Sequence, residues 1–255
     1  PRILWTRIIQ SEFLYLFSTA KSLLSISDTM SEEYYKRYRL QFMPFHNPIS
    51  IRKWLPYSKV TWEIEGNFKI LYTGRIGRAN GKAIIFMAHI INELNLKEGG
   101  VTLDIYTPDF DNKHAISIRN LSGVNVRETI SYTEMPFLLS SYDLLFLPLD
   151  FDRDGIRFAK LSMPTKTSEY MISGTPILIY SPEETAVAKF FSKNNCGYCV
   201  NHEDKEELKS AVQFLMGNKE YRQIISTNAM ELAKEKFDDE KVRAKFRQVI
   251  FTAAR

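Results

Sequence analysis

The residues with the most chemistry in this sequence lie between Met163 and Tyr180, in Met-Pro-Thr-Lys-Thr-Ser-Glu-Tyr-Met-Ile-Ser-Gly-Thr-Pro-Ile-Leu-Ile-Tyr. Pro164 ends whatever precedes it, and Thr165 or Thr167 can cap a helix. A helix opening there offers an anion its backbone N–H groups, the hydroxyl of Thr165 and the cation of Lys166, which is the composition of a phosphate site. Glu169 follows one turn on, about 6 Å along the axis, roughly the distance from a diphosphate to a ribose. Gly174 sits where a left-handed residue would close the helix, and Thr175-Pro-Ile-Leu-Ile-Tyr has the composition of a buried strand with its proline at the start. The stretch reads as half of a nucleotide-sugar site.

Two other features share its chemistry. Phe68-Lys-Ile-Leu-Tyr-Thr is a strand that ends in Gly74-Arg75, with further glycines at Gly77 and Gly81. Glycines let a backbone approach a ligand closely, and an arginine can fork onto a phosphate. The spacing is neither the dinucleotide-binding Gly-x-Gly-x-x-Gly nor a Walker pattern. Asp150-Phe-Asp-Arg-Asp-Gly-Ile-Arg-Phe-Ala-Lys is a charged loop directly after the apolar strand Tyr142–Leu149, placed to touch a sugar or an acceptor.

These groups need elements to position them. The chain has 255 residues, 44% of them hydrophobic, enough for one large domain or one and a half ordinary ones. The net charge of +4 is compatible with an anionic ligand or an acidic membrane surface. No Lys/Arg run, Cys/His finger or aromatic RNA-binding signature points to nucleic acid. Cys196 and Cys199 are too few for a zinc site and read as two thiols in a reducing compartment. No apolar run is long enough to span a membrane, and no signal peptide is evident. The chain opens on Pro1, directly into helical pattern, as a fragment would.

Residues 1–20, with Ile3, Leu4, Trp5, Ile8, Ile9, Phe13, Leu14, Leu16 and Phe17, form an amphipathic helix read as packed on a sheet, an interfacial helix on a membrane being the alternative. A short strand at 22–27 and a helix to Tyr38, capped by Asp28 or Ser31, follow. Residues 1–50 thus read as the tail of one α/β domain. The unpatterned stretch 51–66 is a candidate linker, and 67–255 is a complete second domain. There, strands near 68–73, 101–106, 124–130, 142–149, 175–180 and 197–200 alternate with helices, and three helices close the chain. That order predicts an α/β fold with a doubly wound parallel sheet, whose ligands bind outside the carboxyl ends of the strands.

At these residues the sequence resembles the nucleotide-sugar-dependent glycosyltransferases of the GT-B architecture, the "group 1" kind with two Rossmann-like domains. The segments that carry the resemblance are ILYTGRIGRANGK, SYDLLFLPL, LSMPTKTSEYMISGTPILI and SLLSISDTMSEEYYKRY…MPFHNP. The resemblance implies that the second domain binds the donor. Gly74 and Arg75 would hold its diphosphate, Thr165 and Lys166 would meet the same group, Glu169 would bind the ribose hydroxyls, and the strand end near Thr129 and Ile130 would lie by the base. No bound metal or other cofactor is implied, since arginine, lysine and the helix dipole neutralise the leaving diphosphate.

This chain departs from the family pattern twice. Many relatives carry a second glutamate eight residues before the one at Glu169, where this chain has Leu161, and many carry a lysine six residues after the glycine of Gly-Arg, where it has Asn80. Lys82 or Arg78 could stand in for that lysine. The implied activity is transfer of a hexosyl group from a UDP- or GDP-type donor to a sugar or lipid-linked acceptor, in bacterial surface polysaccharide, capsule or glycolipid synthesis. The implied place is the cytoplasm, with peripheral contact at the inner face of the membrane. With only the tail of an acceptor domain, the chain alone is expected to be incomplete for turnover. A sugar-nucleotide epimerase of the same fold and a scaffold without a working site are the alternatives.

Overall fold

Successive side chains of a strand point to opposite faces, so a strand that is apolar throughout must be covered on both. Leu144–Pro148 is such a strand, and all five of its residues are buried. In the computed structural model, described over residues 2–97 and 99–253, it lies inside a six-stranded, all-parallel sheet. In chain order the elements are α1 (Arg2–Thr19), β1 (Leu24–Ser25), α2 (Asp28–Tyr38), β2 (Met43–Pro44), α3 (Ile51–Trp54) and a 3-10 turn (Leu55–Tyr57). Then come β3 (Phe68–Thr73), α4 (Gly81–Lys97), β4 (Val101–Tyr106), α5 (Lys113–Ile118), β5 (Val124–Arg127), α6 (Met135–Ser140) and β6 (Leu144–Pro148). The chain continues through α7 (Arg153–Ala159), α8 (Lys166–Ile172), β7 (Ile177–Tyr180), α9 (Ala186–Asn194) and β8 (Tyr198–Val200), and closes with α10 (Lys205–Gly217), α11 (Lys219–Lys236) and α12 (Asp239–Ala253).

The sheet order is β5-β4-β3-β6-β7-β8, so the direction of winding reverses between β3 and β6. One face buries Ile70, Tyr72, Leu103, Phe146 and Tyr180 under α4, α5 and α10. The other buries Leu71, Leu145, Leu147, Ile177 and Ile179 with Met171, Phe191, Ala229 and Phe237 from the helical side. This is the doubly wound sheet that the alternation predicts.

The expected helix 1–20 is present as α1, but it is not packed on a sheet. Ile9, Phe13, Leu14 and Leu16 are all exposed, and Phe17 alone of its described apolar residues is partly covered, by Tyr38 and Phe42 with ring centroids 5.0 and 5.4 Å away. The nearby sheet, β1 paired with β2, has two residues per strand and cannot cover eighteen residues of helix. Ile3, Leu4 and Trp5 lie outside the described side chains. The cap of α2 is Ser27, one residue before Asp28 and four before Ser31, the two alternatives read from the sequence, and it accepts from Met30 N–H.

The stretch 51–66 contains α3 and buries Trp54 and Trp62. It straps across the end of α8: Lys59 N–H donates to Ser173 O at 2.7 Å, and Trp62 Nε1 donates to Gly174 O at 3.0 Å. Gly174 has φ +73° as the helix-closing residue, and a β-carbon there would also meet Lys59 O at 2.9 Å. From the other side Arg222, 2% exposed, donates to the carbonyls of Met216 and Trp62 at 2.9 and 2.6 Å. Farther on, Ile49 bridges Asp238: Ile49 N–H donates to Phe237 O at 2.7 Å and Asp239 N–H to Ile49 O at 3.0 Å.

Candidate functional site

The reversal between β3 and β6 leaves a crevice at their carboxyl ends, the place where sheets of this kind bind ligands. Beyond β3 the chain turns through Gly74 at φ +122°, a conformation that a side chain would strain. The next residues are organised by neighbours that the sequence reading did not single out. Asp109, beyond β4, accepts from Ile76 N–H at 3.0 Å and pairs with Arg75 Nη1 at 3.3 Å. Asn112 donates to Ile76 O at 3.0 Å. Asn80 accepts from Gly77 N–H at 2.9 Å and donates to the Tyr72 hydroxyl at 2.7 Å. The asparagine at position 80 therefore ties down the loop. The signal for Asp109 and Asn112 was the Thr-Pro-Asp-Phe-Asp-Asn turn immediately after a strand.

Beyond β6, Asp150 is buried, and its carboxylate accepts from Ala83 N–H at 2.8 Å, capping α4. The stretch 150–160 is not a loop throughout. Asp152 caps α7 by accepting from Gly155 N–H at 2.7 Å, because Asp-x-x-Gly is a helix start as well as a charge run.

The Met163–Tyr180 stretch folds largely as read, into α8 and β7. Neither threonine caps α8. Thr165 stands at the N-cap position in helical conformation without a side-chain bond, and Thr167 is buried inside the first turn with its Oγ1 unpaired. The Lys166 side chain runs across to the end of β3, where Nζ donates to Thr73 O and lies 4.1 Å from the centroid of the Tyr72 ring. A β-carbon at Gly74 would stand 2.6 Å from that ammonium. Burial pushes the Lys166 pKa down to about 7, with the Glu169 carboxylate acting the other way.

Burial likewise lifts the Glu169 carboxyl above its ordinary range, opposed by a hydrogen bond from the Tyr132 hydroxyl and by the charge of Lys166. Tyr132 stacks edge-on against buried Trp54, centroids 6.0 Å apart. It sits two residues beyond Ile130, which is half-buried in the loop after β5. That strand ends at Arg127, three residues short of the expected boundary, since no partner continues beyond Tyr106.

The structure thus joins Gly74 to Lys166, Lys166 to Glu169, and Glu169 through Tyr132 to the loop of Ile130. Arg75, next in the chain after Gly74, has its side chain 81% exposed and paired with Asp109. Lys82 is set apart. Its ammonium bonds Asp152 at 2.5 Å, and with Arg78, His114 and Arg157 it lines a cavity of about 600 Å³ that the loops after β3 and β6 share, through Gly77 and Asp150. Neither Lys82 nor Arg78 joins the Gly74 group. Among the described residues no cluster of three His, Cys, Asp or Glu side chains could hold a metal. Cys196 and Cys199 are free thiols, and burial raises Cys196 to about 12.

A parallel sheet wound on both faces, with cations and a carboxylate at its switch point, is a Rossmann-like α/β domain of the GT-B kind. The chain belongs to the family of glycosyl transferases group 1, whose profile matches residues 67–218, more than half of its length. Similar folds include TarM, at TM-score 0.69 and 14% identity over 94% of this chain and 45% of that one. The α,α-trehalose 6-phosphate synthase of Burkholderia multivorans matches at TM-score 0.71 and 13% identity, over 100% and 64%. HepE of Anabaena, in complex with UDP and glucose, matches at 0.69 and 12%, over 93% and 65%. The chain therefore spans between 45% and 65% of the length of these structures. No curated protein sequence matches it. Among the described residues no helix is long and apolar enough to cross a membrane.

Proposed function

We propose that this chain is the donor-binding part of a glycosyltransferase, which moves a hexosyl group from a nucleoside-diphosphate sugar to a sugar or lipid-linked acceptor. The observation that carries the reading is the convergence of Gly74, Arg75, Lys166 and Glu169 on the switch-point edge of a sheet whose family is that of sugar transfer. Arg75 and the N–H groups near Gly74 would take the diphosphate, with Thr165 and Lys166 beside them. Glu169 would accept from the ribose hydroxyls, and the loop of Ile130 would face the base. Charge neutralisation by these cations supplies what a metal would otherwise do for the leaving diphosphate, so transfer is proposed to be metal-independent. The UDP held by HepE supports a uridine donor, with GDP as the other base to test.

The acceptor is proposed to belong to bacterial surface polysaccharide or glycolipid synthesis, and the enzyme to work in the cytoplasm at the inner face of the membrane. Calorimetric titration with UDP, GDP, CMP and dTDP tests the donor site. Preference for one diphosphate, weakened in Arg75→Ala and Glu169→Ala, supports it; indifference of the binding to both substitutions sinks the residue assignment.

A further inference from the structure

The last torsion of a glutamate is broad and two-fold, so a carboxylate keeps a fixed plane only where a neighbour holds it. For Glu169 that neighbour comes from the loop beyond β5. The Tyr132 hydroxyl donates to the Glu169 carboxylate, and the Trp54 indole donates to the same hydroxyl. Trp54 is 3% exposed and packs edge-on against the phenol, while Tyr132 itself is 61% exposed. A ring left that open does little to fill the core, yet its hydroxyl is engaged on both sides.

The surroundings hold this contact in place. The loop that carries Tyr132 is a closed turn, in which the Glu134 carboxylate accepts from Ser131 N–H at 3.2 Å and from Ser131 Oγ at 2.5 Å. The strap 51–66 then fastens both partners. Lys59 Nζ donates to Ser140 O and Tyr142 O at 3.2 and 2.9 Å, at the end of α6, the helix that follows the turn. Ser58 Oγ donates to Ile172 O at 2.6 Å, at the end of α8, the helix that carries Glu169. One segment thus supplies Trp54 to the Tyr132 hydroxyl and ties down the two elements on which Tyr132 and Glu169 stand.

A carboxylate has about four lone-pair sites. Tyr132 takes one and leaves the others to a diol. Resting on the donor-site reading above, we propose that Tyr132 is a positioning residue for nucleotide binding: it aims the Glu169 carboxylate at the 2′- and 3′-hydroxyls of the ribose and acts on the ligand through Glu169 alone. The bond from Tyr132 also favours the ionised carboxyl, against burial, and Lys166 is the charged group that faces Glu169 from its own helix. Without the hydroxyl, Glu169 takes up its proton at a higher pH.

Calorimetry with UDP and GDP, each beside its 2′,3′-dideoxy analogue, on wild type and Tyr132→Phe separates this role from a structural one. The substitution keeps the ring against Trp54 and deletes the hydroxyl. Tyr132→Phe should weaken binding of the preferred nucleotide about tenfold, the value of one hydrogen bond to a charged group. It should leave binding of the dideoxy analogue at the wild-type value, because a ligand without those hydroxyls gains nothing from an aimed carboxylate. The pH below which nucleotide affinity falls should be higher in the variant than in wild type. Unchanged affinity in Tyr132→Phe, an equal loss for the nucleotide and its dideoxy analogue, or a pH profile that stays in place overturns the proposal and leaves the donor site standing. Equal binding of nucleotide and dideoxy analogue by wild type removes the ribose role of Glu169 and the proposal with it. Binding of neither UDP nor GDP by wild type removes the donor site as well.

Discussion

The Asp150 carboxylate, at the end of β6, accepts from Ala83 N–H at 2.8 Å, so a strand on one side of the switch point caps the helix on the other. The N-terminus of α4 is thereby neutralised from within the protein, and α8 has no such side-chain cap. Asp150→Ala should cost about 1–2 kcal/mol, the worth of a helix cap, and lower the melting temperature by several degrees. Nucleotide affinity should be unchanged. A large loss of affinity would mean that Asp150 belongs to the ligand site.

Gly74→Ala meets two obstacles, a φ of +122° and a β-carbon 2.6 Å from Lys166 Nζ. Backbone strain of this kind costs about 1–3 kcal/mol. The variant should melt lower by roughly 5 °C and bind nucleotide at least tenfold more weakly. Wild-type affinity in a folded Gly74→Ala protein would show that the close approach is unimportant.

Stability should rise with pH above neutrality. In the folded chain Lys166 loses its proton near pH 7, and in the unfolded chain only near its ordinary value of 10.5. Between those values the unfolded state binds more protons, so unfolding becomes less favourable as pH increases. Denaturant titrations from pH 7 to pH 10 should show that climb in the ligand-free protein. In Lys166→Met the climb should flatten.

Glu169 behaves in the opposite sense. Burial lifts its folded pKa above the ordinary value, so stability falls as pH rises through the window between the two. Glu169→Gln removes the buried charge, and should raise the melting temperature at pH 7.5 by about 2 °C while weakening nucleotide binding about tenfold or more. Melting curves read beside the titrations check the pair of effects; a variant both less stable and fully competent would contradict them.

The winding order and the local structure around the candidate site were legible because they rest on local chemistry. Leu144–Pro148 announced a strand buried on both faces, and Gly174 announced the end of α8. The stretch around Lys166 and Glu169 stood out because charged side chains preceded a buried strand. What was hidden depended on partners distant in sequence. Asp150 looked like the start of a solvated charge run because its acceptor role is fulfilled 67 residues away, at Ala83. Tyr132 gave no local sign that it would meet Glu169. The disposition of Lys82 and Asn80 followed from which neighbour each side chain found, Asp152 or Tyr72, and no spacing rule encodes that choice. The exposure of α1 was also unreadable, since an apolar face predicts that burial is favourable and not what is at hand to provide it.

The bridge between Ile49 and Asp238 joins the two places where the chain passes between the large sheet and the elements at its periphery, α1, α2 and the small sheet on one side of sequence and α12 on the other. Phe45 and Phe246 touch just beyond it, centroids 5.7 Å apart. Farther out, Ser27 Oγ donates to Leu161 O at 3.2 Å, and His46 lies between Phe190 and Phe237, with ring centroids 6.0 and 5.0 Å away. The seam between the large sheet and its peripheral elements is therefore fastened at points far apart in sequence, so loosening any one of them leaves the others holding.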